Sequence, residues 1–187
     1  MKWIFSIALV AFSVSSFAQS KGLDSLLEHY HSQRLFSGAV LVARDGVIEY
    51  AKGIRQNEED RALTVTPESR FRIASVSKVF TAVLVMKLVE EGKIDLDAPL
   101  GTYLPTYGGP GKNRVTVHHL LTYSSGLRNK LDEHGLAPYQ TNISLDEFID
   151  QFCSEELVSE PGEHYAYGNT EYILLHKIIE TVTEELY

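Results

Sequence analysis

Ser75-Val76-Ser77-Lys78 sets a serine and a lysine three residues apart, which is nearly one turn of a helix. If the segment is helical, both side chains lie on one face. A neutral Lys78 amine can then reach the Ser75 hydroxyl as a general base. The helix N-terminus also favours the negative charge that develops on an attacked carbonyl oxygen. This pair could therefore run nucleophilic acyl transfer. Alone the signal is weak, because about one S-x-x-K arises by chance in a chain of this length at average residue usage. A helix N-cap followed by a surface lysine accounts for it equally well.

A second piece lies further along the chain, at Tyr167-Gly168-Asn169, just before a helical pattern. A tyrosine beside a lysine can exchange a proton with it and serve as general acid or base. The Asn169 amide offers a donor and an acceptor, suited to a substrate amide and to Lys78. Its plain structural alternative is that Tyr167 packs and Asn169 caps the helix. Other chemistry is disfavoured. His29-x-His31 and His118-His119 give no helical i, i+4 pair with an adjacent base, so a metal site is not expected. Gly108-Gly109-Pro110-Gly111-Lys112 resembles a phosphate loop only superficially, since Asn113 follows and no strand precedes it. Cys153, the only cysteine, has helical spacing from Phe148 and Ile149 and reads as core, and a lone cysteine leaves no internal disulfide. No cofactor is implied.

The elements that must position these groups follow from periodicity. Leu23, Leu26, Leu27 and Tyr30 predict an amphipathic helix over 22–35. Gly38 to Ala43 and Val47 to Ala51 read as two strands around Arg44-Asp45-Gly46, a strong hairpin signal. Arg55 to Thr66 is polar and aperiodic, hence a loop. From Val76 the pattern turns helical through Leu88 and stops at Gly92. Leu100 to Asn113 reads as loop, and Thr116 to Leu121 as a short helix. Ser144 and Glu147 form a capping box for a helix running to about Glu155. A last helix begins near Asn169 or Thr170 and continues to Tyr187 with no residue to end it. The length of 187 residues suits one core. The net charge of −8, with no long basic run, argues against nucleic acid as a partner.

Residues 1–20 combine Lys2, an apolar run from Trp3 to about Val14, and small residues before a cut after Ala18 or Ser20. That is a secretory signal pattern, too short for a comfortable membrane span. An uncleaved N-terminal anchor is the alternative. No cysteine ends the run, which excludes a bacterial lipoprotein anchor. The expected location is periplasmic or secreted, with no stable membrane insertion after cleavage.

Phe71-Arg72-Ile73-Ala74-Ser75-Val76-Ser77-Lys78-Val79-Phe80-Thr81-Ala82 resembles the nucleophile segment of the class C β-lactamases, related DD-peptidases and esterases. Gly92 to Pro99, Thr116 to Leu127 and Pro161-Gly162 through Tyr167-Gly168-Asn169 to Leu175 resemble later segments of that family, in family order. The resemblance covers about residues 36–187. It implies an α+β fold of the β-lactamase/transpeptidase type, an antiparallel sheet packed with helices, here without its C-terminal strands. It also implies a serine hydrolase with Ser75 as nucleophile, Lys78 as base, Tyr167 as proton shuttle and Asn169 orienting the substrate. Three positions depart from the pattern: Tyr123 stands at a usual His, Gly168 at a commoner Ser, and Glu171 at a frequent Gly.

The family's third motif, Lys-Ser/Thr-Gly or His-x-Gly, is not found in the chain. One oxyanion donor would be the Ser75 N–H, and the other would come from that missing strand. Losing one such donor costs about two to three orders of magnitude in rate. The expectation is accordingly an N-terminal part of the domain, over 21–187, inactive or poorly folded alone. Expected substrates are small molecules or peptides: β-lactams, D-Ala-D-Ala peptides or esters. A non-catalytic penicillin-binding sensor, or an inactive truncated remnant, is the competing reading. The oligomeric state is left open.

Overall fold

A computed structural model describes residues 21–55, 65–133, 135 and 137–187. The expected signal sequence at 1–20 and most of the expected loop at 55–66 lie outside the described residues. The chain divides into two compact units, the first ending at Arg72 and the second running from Ile73 to Tyr187.

In the first unit, α1 (21–32) precedes a hairpin of β1 (Gly38–Arg44) and β2 (Val47–Ile54). The strands pair antiparallel, with Asp45 and Gly46 at the turn. Both turn residues have positive φ, 50° and 78°, the backbone that Asp-Gly tolerates and that matches the strand twist. A register shift between Val42 and Ala43 marks a bulge. Asp24 on α1 accepts from Lys52 Nζ at 2.6 Å and from the Tyr50 hydroxyl at 2.8 Å, tying the helix to β2.

The second unit is helical. A 3₁₀ turn (Ala74–Val76) leads into α2 (Ser77–Glu90), and Gly92 at φ 70° closes it where the sequence expects a stop. A short α3 (Leu100–Tyr103) falls in a stretch expected to be loop. Its Leu100 N–H is bonded to Val115 O, a pairing invisible in local sequence. The short α4 (Val117–Leu121) has Thr116 as N-cap, and His119 completes a capping box by taking the Thr116 N–H on its Nδ1. After α5 (Lys130–Glu133), α6 (Leu145–Phe152) has the expected Ser144/Glu147 box but ends at Cys153, not near Glu155. The last helix, α7 (Thr170–Thr183), also ends early: Glu184 turns left-handed at φ 59°. No helix among the described residues is long and apolar enough to cross a membrane.

Helix α7 is the centre of this unit. Its Leu174, Leu175, Ile178 and Ile179 are buried, packed in one cluster with Val117 and Leu120 of α4 and with Val85 and Leu88 of α2. The i, i+1, i+4, i+5 spacing of those positions makes one apolar face wide enough to meet both neighbours. Cys153 belongs to the same core, as its spacing implies, and its thiol is pushed up to about 12. Burial is the main cause, ahead of any acidic neighbour. Helix α2 carries apolar residues on more than its core side: Val85 and Leu88 enter the core, whereas Val79, Phe80, Val83 and Met86 are exposed.

Candidate active site

Ser75 sits in the 3₁₀ turn that begins the α2 segment, so it lies where N–H groups lack intrahelical partners. The residue before it, Ala74, has φ 45°. That left-handed backbone is costly for a residue with a Cβ, and such strain collects at functional turns. Lys78 lies one turn on, within α2. Tyr167 and Asn169 come from the segment entering α7. Its backbone is held by Tyr123 and Ser124, whose carbonyls accept from Ala166 N–H at 2.8 Å and Gly162 N–H at 2.7 Å.

All four residues singled out from sequence meet here. The Tyr167 hydroxyl donates to Ser75 Oγ at 2.7 Å. Lys78 Nζ donates to the Tyr167 hydroxyl oxygen at 2.8 Å, to Gly168 O at 3.0 Å and to Asn169 Oδ1 at 2.8 Å. Three acceptors thus surround the Lys78 nitrogen. Direct reach from the Lys78 amine to the Ser75 hydroxyl, expected from the three-residue spacing, is therefore replaced by a bridge: the tyrosine oxygen stands between them. Lys78 Nζ also lies 4.1 Å from the Tyr167 ring centroid, a cation–π contact that holds the ring in place.

Asn169 occupies the N-cap position of α7 but does not cap it, since its Oδ1 is turned to Lys78. The cap is Asn129, whose Oδ1 accepts from Asn169 N–H and Thr170 N–H, both at 3.0 Å. Sequence reasoning passed over Asn129 because it caps a helix some forty residues away. It also passed over the environment of Glu171, which is only 1% exposed. Glu171 accepts from the Ser125 hydroxyl at 2.8 Å and from Asn129 Nδ2 at 3.5 Å. Burial raises its carboxyl, against the pull of these hydrogen bonds and of the Lys78 charge. The signal was available: Glu171 continues the buried stripe of Leu174, Leu175, Ile178 and Ile179, and an acid on such a stripe requires partners.

Tyr123, at the position where the resemblance expects His, has φ 56°. Its ring stacks on Tyr172, with centroids 5.1 Å apart, and lies 4.9 Å from Tyr167. Burial raises the Tyr123 and Tyr172 hydroxyls, so these two work as apolar walls with a polar rim. Together with Ser75, Lys78 and the exposed side of α2 at Val79, Val83 and Met86, they line an open groove of about 900 Å³. Among the described residues no cluster of three or more His, Cys, Asp or Glu side chains could hold a metal ion. The arrangement offers a hydroxyl suited to attack, a phenol that could move its proton, and a lysine nitrogen that could take the proton up.

The family described as Beta-lactamase matches residues 23–187. Among curated proteins, the chain is 28% identical over 170 residues to Protein flp of Staphylococcus aureus, covering 88% of this chain and 34% of that one. It is 32% identical over 180 residues to Esterase EstB of Burkholderia gladioli, covering 87% and 45% respectively. Among solved structures, the octameric penicillin-binding protein homologue from Pyrococcus abyssi aligns with a TM-score of 0.73 at 35% identity. That alignment covers 90% of this chain and 40% of the homologue. The chain thus spans less than half the length of each of these relatives, and its mixed helix-and-sheet fold corresponds to that part of the β-lactamase/transpeptidase type.

Proposed function

The chain belongs to the beta-lactamase family, and on that footing we propose that it carries the nucleophile of a serine hydrolase working through an acyl-enzyme at Ser75. The observation that carries this reading is the unbroken run from Ser75 Oγ through the Tyr167 hydroxyl to Lys78 Nζ, at 2.7 and 2.8 Å. Ser75 Oγ attacks the carbonyl carbon of the substrate. For the transfer both hydroxyls turn, so that the Ser75 O–H points to the Tyr167 oxygen and the Tyr167 O–H to Lys78 Nζ. The Ser75 proton then passes to the Tyr167 oxygen while the Tyr167 proton passes to the free-amine form of Lys78, which becomes the ammonium. The relay then runs backwards to protonate the leaving group, and water releases the acyl chain by the same route. The ammonium that forms is already met by Gly168 O and Asn169 Oδ1, so these acceptors favour the charged side of the transfer. The Asn169 amide is a donor of the kind suited to a substrate carbonyl.

The substrate class we propose is a carboxylic acyl compound: an ester, a β-lactam or a D-Ala-D-Ala peptide. Likeness to an esterase and to a penicillin-binding homologue supports that range. Product release from one compound of each kind ranks them. The nucleophile is tested by treating the protein with a fluorophosphonate and locating the adduct by peptide mass spectrometry. Adduct on Ser75, absent in Ser75→Ala, is the expected result. Label that persists in Ser75→Ala rules the assignment out. Stable acylation by a β-lactam without release would favour the sensor reading. Export is proposed from the pattern in residues 1–20. An N-terminus at Gln19 or Lys21 in the mature protein supports it, and an intact Met1 overturns it.

A further inference from the structure

Two departures from the family pattern, Gly168 and Glu171, meet at one side chain. A Cβ on Gly168 would lie 2.0 Å from Cγ of Asn129, inside any tolerable contact, so the Asn129 amide fills the space a side chain at 168 would need. The same amide is fixed at both ends. Asn169 N–H and Thr170 N–H, each 3.0 Å away, are donors only, so the atom facing them is Oδ1. Nδ2 is then turned to Glu171 Oε2, at 3.5 Å, while Glu171 Oε1 takes the Ser125 hydroxyl at 2.8 Å. Ser125 Oγ is held in turn by Leu127 N–H at 3.1 Å.

We propose that Glu171, Asn129 and Gly168 form a buried clamp that sets Asn169 and the Gly168 carbonyl in place and, through them, orients Lys78. These are positioning residues, and none touches Ser75. The kinetic consequence rests on the serine-hydrolase reading above. The chain of cause is short. Glu171 accepts from both Ser125 and Asn129, which forbids the Asn129 amide from turning over. A turned amide would present its NH₂ to two backbone donors and release the start of α7. Asn169 Oδ1 and Gly168 O, two of the three acceptors on Lys78, lie on that released segment. Gly168 is the complement of the clamp, since only the absence of a side chain admits Asn129 so closely. In a water-poor site a carboxylate fits this duty better than an amide, because both of its oxygens accept.

Donor counting supplies the test. In E171Q one side-chain oxygen becomes an NH₂: facing Asn129 Nδ2 it sets donor against donor, and facing Ser125 it donates to Oγ but leaves the buried Ser125 proton without the acceptor it had. In N129D a second carboxylate faces Glu171. In the double variant E171Q/N129D the new amide donates to the new carboxylate. That carboxylate still accepts from Asn169 N–H and Thr170 N–H, and the total charge matches that of the natural pair. Two readouts are taken on the full chain: the rate of Ser75 labelling by a fluorophosphonate, and the rate of Lys78 acetylation by acetic anhydride, each located by peptide mass spectrometry. Each single variant is expected to slow Ser75 labelling about tenfold or more, as small misplacements in such sites do. Each should also raise Lys78 acetylation, because the amine loses acceptors. The double variant should return both to within about threefold of the natural protein, the mark of a coupled pair.

E171Q labelling at the natural rate, or a double variant no better than the singles, overturns the proposal. If a single variant does not fold, the double variant decides: it must fold and label, and its failure also overturns the clamp. If the natural protein gives no Ser75 adduct, it is the hydrolase reading that fails. Lys78 acetylation alone then decides the clamp, raised in the singles and restored in the double if it holds, unchanged across all three if it does not.

Discussion

Removing one oxygen atom separates the chemistry of this site from its stability. Tyr167→Phe deletes the hydroxyl that donates to Ser75 Oγ at 2.7 Å and accepts from Lys78 Nζ at 2.8 Å, and leaves the ring. The ring's packing against Tyr123, 4.9 Å between centroids, and its cation–π contact with Lys78 do not involve the oxygen. Lys78 keeps Gly168 O and Asn169 Oδ1, and because Tyr167 is 50% exposed, water can take the vacated donor. The stability cost is therefore at the low end for a hydrogen bond, roughly 0.5–1 kcal/mol. That corresponds to a fall in Tm of about 1–4 °C. The rate cost is of another order. Without the bridging oxygen no group joins Ser75 to Lys78, and loss of a positioned general acid–base costs about 10²- to 10⁴-fold. The assay pairs the initial rate of fluorophosphonate labelling with a circular-dichroism melt on the same preparation. Labelling of Tyr167→Phe within threefold of the natural rate would refute the bridge. A fall in Tm beyond about 10 °C would refute the claim that the hydroxyl is dispensable for folding.

Other parts of the structure give equally definite expectations. Cys153, with its thiol pushed up to about 12 by burial, should resist iodoacetamide at pH 8 in the native protein and react at once in denaturant. In the unfolded chain the thiol titrates near about 8.5, so above that pH the unfolded state loses its proton first. Stability contributed by the protonated thiol is full below the unfolded value and is lost as pH rises towards 12, a loss that Cys153→Ala should remove from the pH dependence of the melting curve. Leu174→Ala, in the fully buried stripe of α7, should cost about 2–5 kcal/mol in urea unfolding with little change in slope. Ser144→Ala removes the N-cap acceptor of α6, where Ser144 Oγ takes Glu147 N–H at 3.2 Å, and should cost about 0.5–2 kcal/mol. A cost near zero there would mean that Glu147 alone holds the helix start.

Much of the fold and part of the site are legible in the residues themselves. The hairpin turn at Asp45-Gly46, the start and stop of α2 and the Ser144/Glu147 box depend on atoms within a few positions of one another. Type and spacing therefore determine them almost without the rest of the chain. The same holds for Ser75 and Lys78, placed on one side of a turn by their separation of three, and the order of motifs along the chain was enough to identify the family. What only the tertiary structure decided involves partners far apart in sequence. Tyr167 stands between Ser75 and Lys78 across some ninety residues, so the direct contact suggested by spacing becomes a bridge. Asn129, some forty residues upstream, caps α7 and frees Asn169 for Lys78. Glu171, a departure with no local rationale, gains one from Ser125 and Asn129, and Gly168 from the closeness of the Asn129 amide. The division has one physical source: a cap or a turn satisfies its polar groups from its own neighbours, whereas a buried carboxylate or a lysine nitrogen with three acceptors must draw its partners from whichever segments the core brings beside it.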